Sequence, residues 1–387
     1  MKPMKTNPDD VALVLGGGGA RSAYQVGVLR AVARRHPDCH IPILTGVSAG
    51  GINAAYLANT QGCFEERVEE LNGLWRNLEF EGVFSTEGAS LLTHVFRVGA
   101  RLLFGRGKAP KRPEHRGMLD IRPLRQTLLK GLGSSDGKLA GIESNLASGA
   151  LKAVALTATR YATGQTTTFF AGSDIHEWER PNRTSEKTKL SVDHILASAS
   201  LPFIFPSIEI DGMHYGDGGM RLTAPLAPAL HLGAERILTI STRFQRSREE
   251  ASTPQFQGPP TAAQVAGVLF NAIFLDQFDQ DVLRLERINR LIANNPQPAD
   301  TGLREVKALI IRPSCDLGKL ANDYEPRLPP VFRYLTRRLG TRQSKSQDFL
   351  STVMFHKGYL AELIAVGEAD GEARADEIAA FLAPSRG

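Results

Sequence analysis

The amino-acid sequence predicts an α/β fold with a mainly parallel central sheet, and two strand-then-helix units near the N-terminus support this prediction. In the first unit, the apolar run Val11–Leu15 has the composition of a strand buried on both faces, and a glycine-rich turn leads from it into a helix over Tyr24–Arg35. In the second unit, the apolar run Ile41–Leu44 leads through a turn into a helix of small residues over Ala49–Ala58. Alternating strands and helices of this kind are typical of parallel sheets covered by helices.

The rest of the chain extends this pattern, with a polar loop predicted at Asp174–Lys189 and a polar linker at Arg243–Pro260. The linker divides the chain into an α/β domain over residues 9–245 and a helical C-terminal extension over residues 259–387, whose helices we expect to pack on the sheet of that domain. A homodimer through the long helix of the extension is the alternative. Further strands are predicted at Leu151–Thr159, Gln165–Phe170, Met213–Gly216, Arg236–Ser241 and, at an edge, Val306–Ile311. Further helices are predicted within Cys63–Ala89 and at Leu91–Leu103, Met118–Leu132, Val192–Ala199, Thr261–Asn295, Val331–Leu339 and Phe349–Val366.

Composition and charge exclude several classes of protein. With 42% hydrophobic and 22% charged residues, the chain has the balance of a globular protein rather than a disordered or fibrous one. No apolar run reaches the length of a membrane span, and Val11–Leu15 is too short for a signal peptide, so we expect a cytoplasmic protein. The three cysteines have no C-x-x-C spacing, which argues against a disulfide framework and against a zinc site. The net charge of +5 is compatible with an anionic membrane surface or with nucleic acid and establishes neither, and we predict no nucleic-acid partner.

Ser48 is the candidate nucleophile. It is the central residue of Gly46-Val47-Ser48-Ala49-Gly50, which fits the G-x-S-x-G pattern of a nucleophile elbow, a sharp turn between a strand and a helix. Gly46 and Gly50 are expected because a Cβ at either position would collide with the neighbouring strand or helix. The helix that follows directs its N-terminal dipole at the serine, which favours negative charge there.

A glycine-rich loop follows the first strand and contains Gly17, Gly18 and Gly19, with Arg21 two residues further on. One interpretation is a dinucleotide-binding fingerprint, and the other is an oxyanion hole made of backbone N–H groups. The dinucleotide fingerprint requires a carboxylate at the end of the next strand, where this chain has Leu44-Thr45-Gly46, and a glycine where it has Ser22. The sequence therefore favours an oxyanion hole over a dinucleotide-binding loop, and this argues against a nicotinamide-dependent oxidoreductase.

These two motifs, in this order, resemble those of the patatin-like phospholipase family. Two downstream stretches extend the resemblance: the Ala-Ser-rich block Ala197–Pro206 and the triplet Asp217-Gly218-Gly219. The resemblance implies a three-layer α/β/α sandwich and the C-terminal helical extension of bacterial patatin-like proteins. It also implies a Ser48–Asp217 dyad supported by Gly218 and Gly219, an oxyanion hole of Gly17, Gly18, Gly19 and Arg21, and no metal or organic cofactor. The chain departs from the family pattern at Ser22, where we expect slight backbone strain.

A classical triad would need a histidine after the acid, and we find none in a convincing position. His231 and His356 follow Asp217 but lie in predicted helices, while His194 and His214 precede it. We therefore treat these four histidines as surface or core residues. A second Asp-Gly pair, at residues 211 and 212, is interpreted as a hairpin turn. The resemblance assigns the role of base to Asp217, which ends a predicted strand and is followed by two glycines.

The implied function is hydrolysis of an acyl ester of a phospholipid or lysophospholipid, in lipid catabolism, by a serine hydrolase. The basic segment around residues 87–118 joins an apolar helix face to the cationic run Gly105–Arg116. It has two interpretations: a solvated loop, or a lid at the surface of an anionic membrane. One alternative is an acyltransferase, but the transacylases of similar fold place a histidine beside the serine, where this chain has Val47 and Ala49. Another is a lipid-binding module without activity, which would lack the nucleophile or the base.

Overall fold

The computed structural model describes residues 7, 10–84, 119–202, 204–252, 259, 265, 268, 277–294, 303–329 and 348–384. Within these residues it has one central sheet of ten strands with helices on both faces. The predicted helices Leu91–Leu103 and Val331–Leu339 and the basic run Gly105–Arg116 lie outside the described residues. No helix in the described ranges is long and apolar enough to cross a membrane.

The sheet is mainly parallel, as predicted. Its strands are β1 (Val11–Leu15), β2 (Ile43–Val47), β3 (Ala153–Arg160), β4 (Gln165–Gly172), β5 (Glu179–Arg180), β6 (Arg183–Lys187), β7 (Ile208–Ile210), β8 (Met213–Asp217), β9 (Arg236–Ile240) and β10 (Lys307–Ile311). The main path of the sheet runs β10-β9-β1-β2-β3-β4-β6-β5, and the hairpin β7–β8 joins through β8 to β3. The pairs along β10, β9, β1, β2 and β3 are all parallel, and so is β4 with β6.

Helices form the two outer layers and the C-terminal region. In the described residues they are α1 (Ala23–Arg35), α2 (Ala49–Asn59), α3 (Phe64–Asn77), α4 (Phe80–Val83), α5 (Arg122–Gly131), α6 (Ala140–Ser148), α7 (Val192–Ala199), α8 (Ala227–His231), α9 (Arg248–Ser252), α10 (Gln277–Ala293), α11 (Leu317–Leu320), α12 (Asp348–Val353), α13 (Lys357–Ala373) and α14 (Ala375–Leu382). Short 3-10 helices cover Gly19–Ser22, Gly218–Arg221 and Ala321–Arg327.

The alternating side chains of β1 show how the layers are built. Leu13 lies in the larger core with the helices of one face, whereas Val14 lies in a second core on the other face. The second core is closed by α8 and by α10, whose Phe278 and Val282 are buried against the sheet. The described part of the predicted long helix therefore packs on the sheet, as expected, while Leu291 of the same helix is exposed.

The C-terminal region is tied closely to the sheet domain. Strand β10 pairs with β9 at the edge predicted from the sequence. Helix α13 crosses α1 at glycines: a Cβ on Gly27 would lie 2.0 Å from Ile364 O, and one on Gly367 would lie 2.2 Å from Tyr24 O. Arg30 of α1 also forms an ion pair with Glu368 of α13. The division into domains 9–245 and 259–387 stays a prediction, with these contacts joining the two parts.

Three predicted elements need correction. Strand β2 begins at Ile43 rather than Ile41 and continues to Val47, so that Gly46 lies inside it. The region 174–189 is not all loop, because β5 and β6 occur there and β6 pairs in parallel with β4. The predicted helix Phe349–Val366 is broken into α12 and α13, and His356 caps the N-terminus of α13 by accepting the Gly358 N–H at 3.1 Å.

Candidate active site

Ser48 occupies a strained turn between β2 and α2, as the nucleophile elbow requires. Its backbone has φ 55° and ψ −132°, a region that non-glycine residues rarely adopt. A Cβ at Gly46 would lie 2.5 Å from Gly50 O, and one at Gly50 would lie 2.3 Å from Gly16 O. Both glycines are thus required by close backbone contacts. The Ser48 residue is 5% exposed, so the turn presents its hydroxyl to a sheltered site.

The register of β3 explains why Asp217 meets Ser48. One edge of β3 is paired along its whole length with β4, so β2 and β8 share the other edge. Val47 of β2 is paired with Thr157, and Asp217 of β8 is paired with the next residue, Ala158. The end of β8 therefore faces the end of β2, and the two candidate catalytic residues are brought together although they are far apart in sequence.

The Asp217 carboxyl lies in a fully buried environment that favours its protonated form. It is 0% exposed, and burial raises its pKa from 3.8 to about 7. The Ser48 hydroxyl and the Gly219 N–H, which donates to Oδ1 at 2.8 Å, act in the opposite direction and lower this pKa. The other oxygen, Oδ2, is buried and accepts no hydrogen bond of normal geometry from the residues that the structure describes. A carboxyl beside a hydroxyl, with one unused acceptor and a pKa near neutrality, is suited to taking a proton.

Two glycines and a strand fix this carboxyl. A Cβ at Gly218 would lie 2.1 Å from Thr157 O, so only glycine fits directly after Asp217. Thr159 Oγ1 donates to Asp217 O at 2.9 Å. The two motif glycines thus have separate tasks: Gly218 permits the close approach to β3, and Gly219 supplies a hydrogen bond.

The C-terminal end of α7 contacts both candidate catalytic residues, a role that sequence reasoning missed. Ser198 Oγ accepts the Ser48 N–H at 3.0 Å and donates to Thr157 O at 2.6 Å. Two residues later, Ser200 O accepts the Asp217 N–H at 2.9 Å. Both serines belong to the Ala-Ser-rich block, so its sequence contained the signal, but only the fold shows which backbone groups it holds.

The glycine loop lies against Ser48. A Cβ at Gly17 would come within 3.1 Å of Ser48 Cβ, and a Cβ at Gly18 would lie 2.6 Å from Thr242 Oγ1. Gly19 has φ 57°, and a Cβ there would lie 2.1 Å from Thr352 O. Thr242 Oγ1 also donates to Gly17 O at 2.8 Å. The loop is therefore confined between the nucleophile, the end of β9 and α12, where backbone N–H groups can serve a developing oxyanion.

The Arg21 side chain is held by residues of α12. It is 2% exposed, its Nε donates to Ser351 Oγ at 2.6 Å, and its guanidinium pairs with Asp348 at 2.5 Å. These bonds tie the glycine loop to α12. The assignment of Arg21 to the oxyanion hole stays a prediction, and the bonds of its side chain give it a positional role as well.

Ser22 is the residue at which the chain departs from the motif. We predicted slight backbone strain there, and the structure shows none. Its φ of −68° and ψ of −9° are those of an ordinary helical residue. Its hydroxyl is fully buried and has no hydrogen-bond partner in the described part of the chain. The substitution of serine for glycine therefore leaves the backbone geometry of the turn intact, at the expense of one unsatisfied hydroxyl.

Ser48 lines an apolar cavity. Its walls come from α3, α5, the residues after α4, the residues after α7 and the C-terminal region, and the large side chains among them include Trp75, Phe84, Leu128, Phe205 and Phe355. The Phe84 ring stacks on Phe205 with centroids 5.4 Å apart and meets Phe355 edge-on at 5.6 Å. A cavity of this composition suits a hydrocarbon chain next to the nucleophile.

The histidines make their contacts elsewhere. His194 accepts the Ser191 N–H at 3.1 Å and packs edge-on against Phe169, and burial lowers its pKa to about 4. His231 stacks on Trp178, and burial also lowers its pKa to about 4. His214 is exposed, and His356 caps α13 as described above. In the described structure none of these four rings hydrogen-bonds to Ser48 or Asp217.

The described residues contain no group of three or more histidine, cysteine or acidic side chains placed to hold a metal ion.

Comparison with known families matches residues 13–230 to the family model for patatin-like phospholipase. This match includes both candidate catalytic residues and the glycine loop.

Similarity to individual proteins is more limited. Patatin-like phospholipase domain-containing protein 7 from Mus musculus is 43% identical over 60 residues, which is 15% of this chain and 4% of that protein. The same protein from Rattus norvegicus is 45% identical over 60 residues. Among solved structures, the chain is similar to VipD from Legionella pneumophila, with a TM-score of 0.37 and 14% identity over 92% of this chain and 68% of the other. It is also similar to human GIVD cytosolic phospholipase A2, with a TM-score of 0.47 and 10% identity over 96% and 62% of the two chains.

Proposed function

The chain belongs to the patatin-like phospholipase family, and we propose that it hydrolyses a carboxylic ester bond of a phospholipid or lysophospholipid with Ser48 as nucleophile and Asp217 as base. Family membership supports the broader statement of a lipid ester hydrolase. One observation carries the finer proposal: Ser48 adjoins a fully buried carboxyl with an unused acceptor, and also lines an apolar cavity.

In the proposed first step, Ser48 Oγ attacks the ester carbonyl carbon while its proton passes to the ionised Asp217 carboxylate. The carbonyl oxygen becomes an oxyanion, which the backbone N–H groups of the loop Gly17–Gly19 and the N-terminal end of α2 stabilise. When the tetrahedral intermediate collapses, the C–O bond to the alcohol breaks and Asp217 returns the proton to the leaving oxygen. Ser48 then carries the acyl chain, and the cavity holds its hydrocarbon part.

In the second step, Asp217 takes a proton from water, and the hydroxide attacks the acyl-Ser48 carbonyl. Collapse of the second intermediate releases the fatty acid and returns the proton to Ser48 Oγ. The step requires Asp217 to be ionised when water arrives. Because burial raises the pKa of Asp217 to about 7, we expect turnover to fall as the pH drops through that value.

We also propose that the enzyme reaches its substrate at the surface of an anionic membrane. The support is the cluster of cations between residues 105 and 116 and the apolar helix pattern before it. A lipid chain that enters the cavity beside Ser48 must leave a bilayer, so a surface that holds the protein against lipid would assist that transfer.

The test is release of fatty acid from mixed phospholipid vesicles by the purified protein, followed by mass spectrometry, beside the variant Ser48→Ala. Wild type should release fatty acid, and the variant should be slower on the order of 10⁴-fold or more, since it lacks the nucleophile. Addition of an alcohol acceptor distinguishes hydrolysis from acyl transfer, because a transferase would form the new ester in preference to free acid. Comparable release by a folded Ser48→Ala protein would overturn the proposal.

A further inference from the structure

Three polar side chains form a chain of hydrogen bonds inside the larger apolar core, on the face of the sheet that α1, α2 and α3 cover. Gln25 and Asn53 are 0% exposed, and Trp75 is 1% exposed. Trp75 Nε1 donates to Asn53 Oδ1 at 2.7 Å, and Asn53 Nδ2 donates to Gln25 Oε1 at 3.0 Å. We refer to Gln25, Asn53 and Trp75 as the buried relay.

The buried relay holds the glycine loop at both of its ends. Gln25 Nε2 donates to Gly16 O at 2.8 Å and to Ile240 O at 3.2 Å, which joins the start of the loop to the end of β9. Asn53 Nδ2 also donates to Ser22 O at 3.2 Å, where the loop passes into α1. Gly16 and Ser22 enclose the residues 17–21, so the backbone on either side of the proposed oxyanion site is fixed by side-chain amides.

The composition of the relay is not what core packing alone would select. Buried amides are costly unless every donor and acceptor is paired, and apolar side chains of the same shape often stabilise a core as well. Here each polar side-chain atom of Gln25, Asn53 and Trp75 has a partner. A fully satisfied buried network rigidifies the groups that it contacts. In this case those groups are the carbonyls that flank the glycine loop.

The relay also reaches the substrate cavity, since Trp75 forms part of its wall. We propose that Gln25 and Asn53 are positioning residues that hold the glycine loop in the geometry that binds the oxyanion, and that Trp75 fixes Asn53 from the cavity side. This inference rests on the proposed function, because the loop has this task only if Ser48 generates an oxyanion. Displacement of catalytic groups by about 1 Å can slow a reaction on the order of 10²-fold, so a small shift of the loop is enough to matter.

The test measures kcat and KM on a p-nitrophenyl fatty-acyl ester. Enzyme concentration is set by titration of Ser48 with a fluorophosphonate, so that misfolded protein is not counted. Gln25→Met keeps the volume and removes the amide, and it should lower kcat on the order of 10²-fold with little change in KM. Trp75→Phe keeps a ring in the cavity wall and removes the N–H donor, and it should lower kcat about tenfold. Because the residues act in series, Gln25→Met combined with Trp75→Phe should be hardly slower than Gln25→Met alone.

Two matched controls separate this role from general loss of stability. Asn145→Ala also removes buried amide bonds, from Nδ2 to Ala58 O at 2.8 Å and to Thr60 O at 3.1 Å, but these lie at the far end of α2. It should destabilise the fold and leave kcat near that of wild type. Trp178→Phe replaces a tryptophan packed on Phe170 on the other side of the sheet and should leave both constants unchanged.

The outcomes separate the two proposals. An inactive wild type, or a fully active Ser48→Ala, would overturn the proposed function. An active wild type with an inactive Ser48→Ala, and with relay variants that retain wild-type kcat, would overturn the relay alone. The relay would also be overturned if Asn145→Ala lowers kcat as much as Gln25→Met does. It would likewise be overturned if kcat of the double variant falls by the product of the factors for Gln25→Met and Trp75→Phe. Should Gln25→Met not fold, the more conservative Trp75→Phe decides the question through its kcat against that of Trp178→Phe.

Discussion

Replacing Asp217 by asparagine should abolish turnover and, at alkaline pH, stabilise the folded protein. In the folded state burial raises the pKa of this carboxyl to about 7, whereas in the unfolded chain it has an ordinary value near 4. Between these two values the folded protein holds a proton that the unfolded chain has released. The free energy of unfolding therefore falls as pH rises. The stabilisation from the neutral carboxyl is complete below about pH 4 and is lost as pH rises through about 7.

The size of the effect follows from the pKa difference. A rise from 3.8 to about 7 corresponds to roughly 4 kcal/mol of unfolding free energy, at about 1.4 kcal/mol for each pH unit. The amide introduced by Asp217→Asn has no charge to desolvate, and its carbonyl oxygen can still accept the Gly219 N–H. The unfolding free energy of wild type minus that of Asp217→Asn should therefore fall by up to about 4 kcal/mol between pH 4 and pH 8 and then level off.

Urea unfolding of both proteins from about pH 4 to about pH 9, followed by far-UV circular dichroism, measures this difference, because contributions from other titrating groups cancel between them. Asp211→Asn, at an exposed turn before β8, is the matched control and should follow wild type at every pH. Activity should fall on the order of 10⁴-fold in Asp217→Asn. A stability difference that does not vary with pH would refute the buried, neutral carboxyl, and substantial turnover by the variant would refute its role as base.

Three other substitutions test the surroundings of the site. Ser198→Ala removes the acceptor of the Ser48 N–H, so it should destabilise the fold by about 1–3 kcal/mol and reduce kcat. Thermal unfolding and ester hydrolysis measure the two effects, and unchanged values would mean that this hydrogen bond is dispensable. Arg21→Met removes the buried guanidinium that binds Asp348 and Ser351 and should cost about 1.5–3 kcal/mol in urea unfolding, and a loss below about 1 kcal/mol would contradict an anchoring role for this arginine. Neutralising the basic run should weaken sedimentation with anionic vesicles, most at low salt, by roughly 1 kcal/mol per cation, whereas equal binding at all ionic strengths would exclude an electrostatic contribution. The residues to change to glutamine are Arg106, Lys108, Lys111 and Arg112.

The parts of the site that the sequence predicted are those set by local sterics. The elbow around Ser48 could be identified because its pattern is local: Gly46 is required by backbone contacts within the same strand-turn-helix unit, and Gly50 by the close approach of Leu15 and Gly16 at the end of β1. The predicted bounds of β1 agree with the structure, since its five apolar residues are buried on both faces. The pairing of Asp217 with Ser48 came from family resemblance, and its physical basis, the shared edge of β3, is a property of the folded sheet.

What the sequence did not predict depends on partners far along the chain. Arg21 lies in a motif whose position suggested contact with the oxyanion, but its partner Asp348 is 327 residues away. Gln25 and Asn53 are polar residues among apolar neighbours in α1 and α2, and nothing local indicates that they meet. The sequence of strand β6, Arg-Thr-Ser-Glu-Lys, has no apolar alternation and by itself indicates a loop. Its pairing with β4 near the sheet edge makes it a strand nonetheless.

The wall that α12 and Phe355 contribute to the cavity affects the order in which the enzyme is built on the ribosome. Both candidate catalytic residues have been translated by position 217, but Thr352 and Phe355, which line the cavity, are translated more than a hundred codons later. At common elongation rates this interval is on the order of ten seconds. A nascent chain therefore carries Ser48 and Asp217 for that time without a complete cavity wall. Under the proposed function, synthesis of the C-terminal region, rather than synthesis of the motifs, sets the moment at which activity can begin.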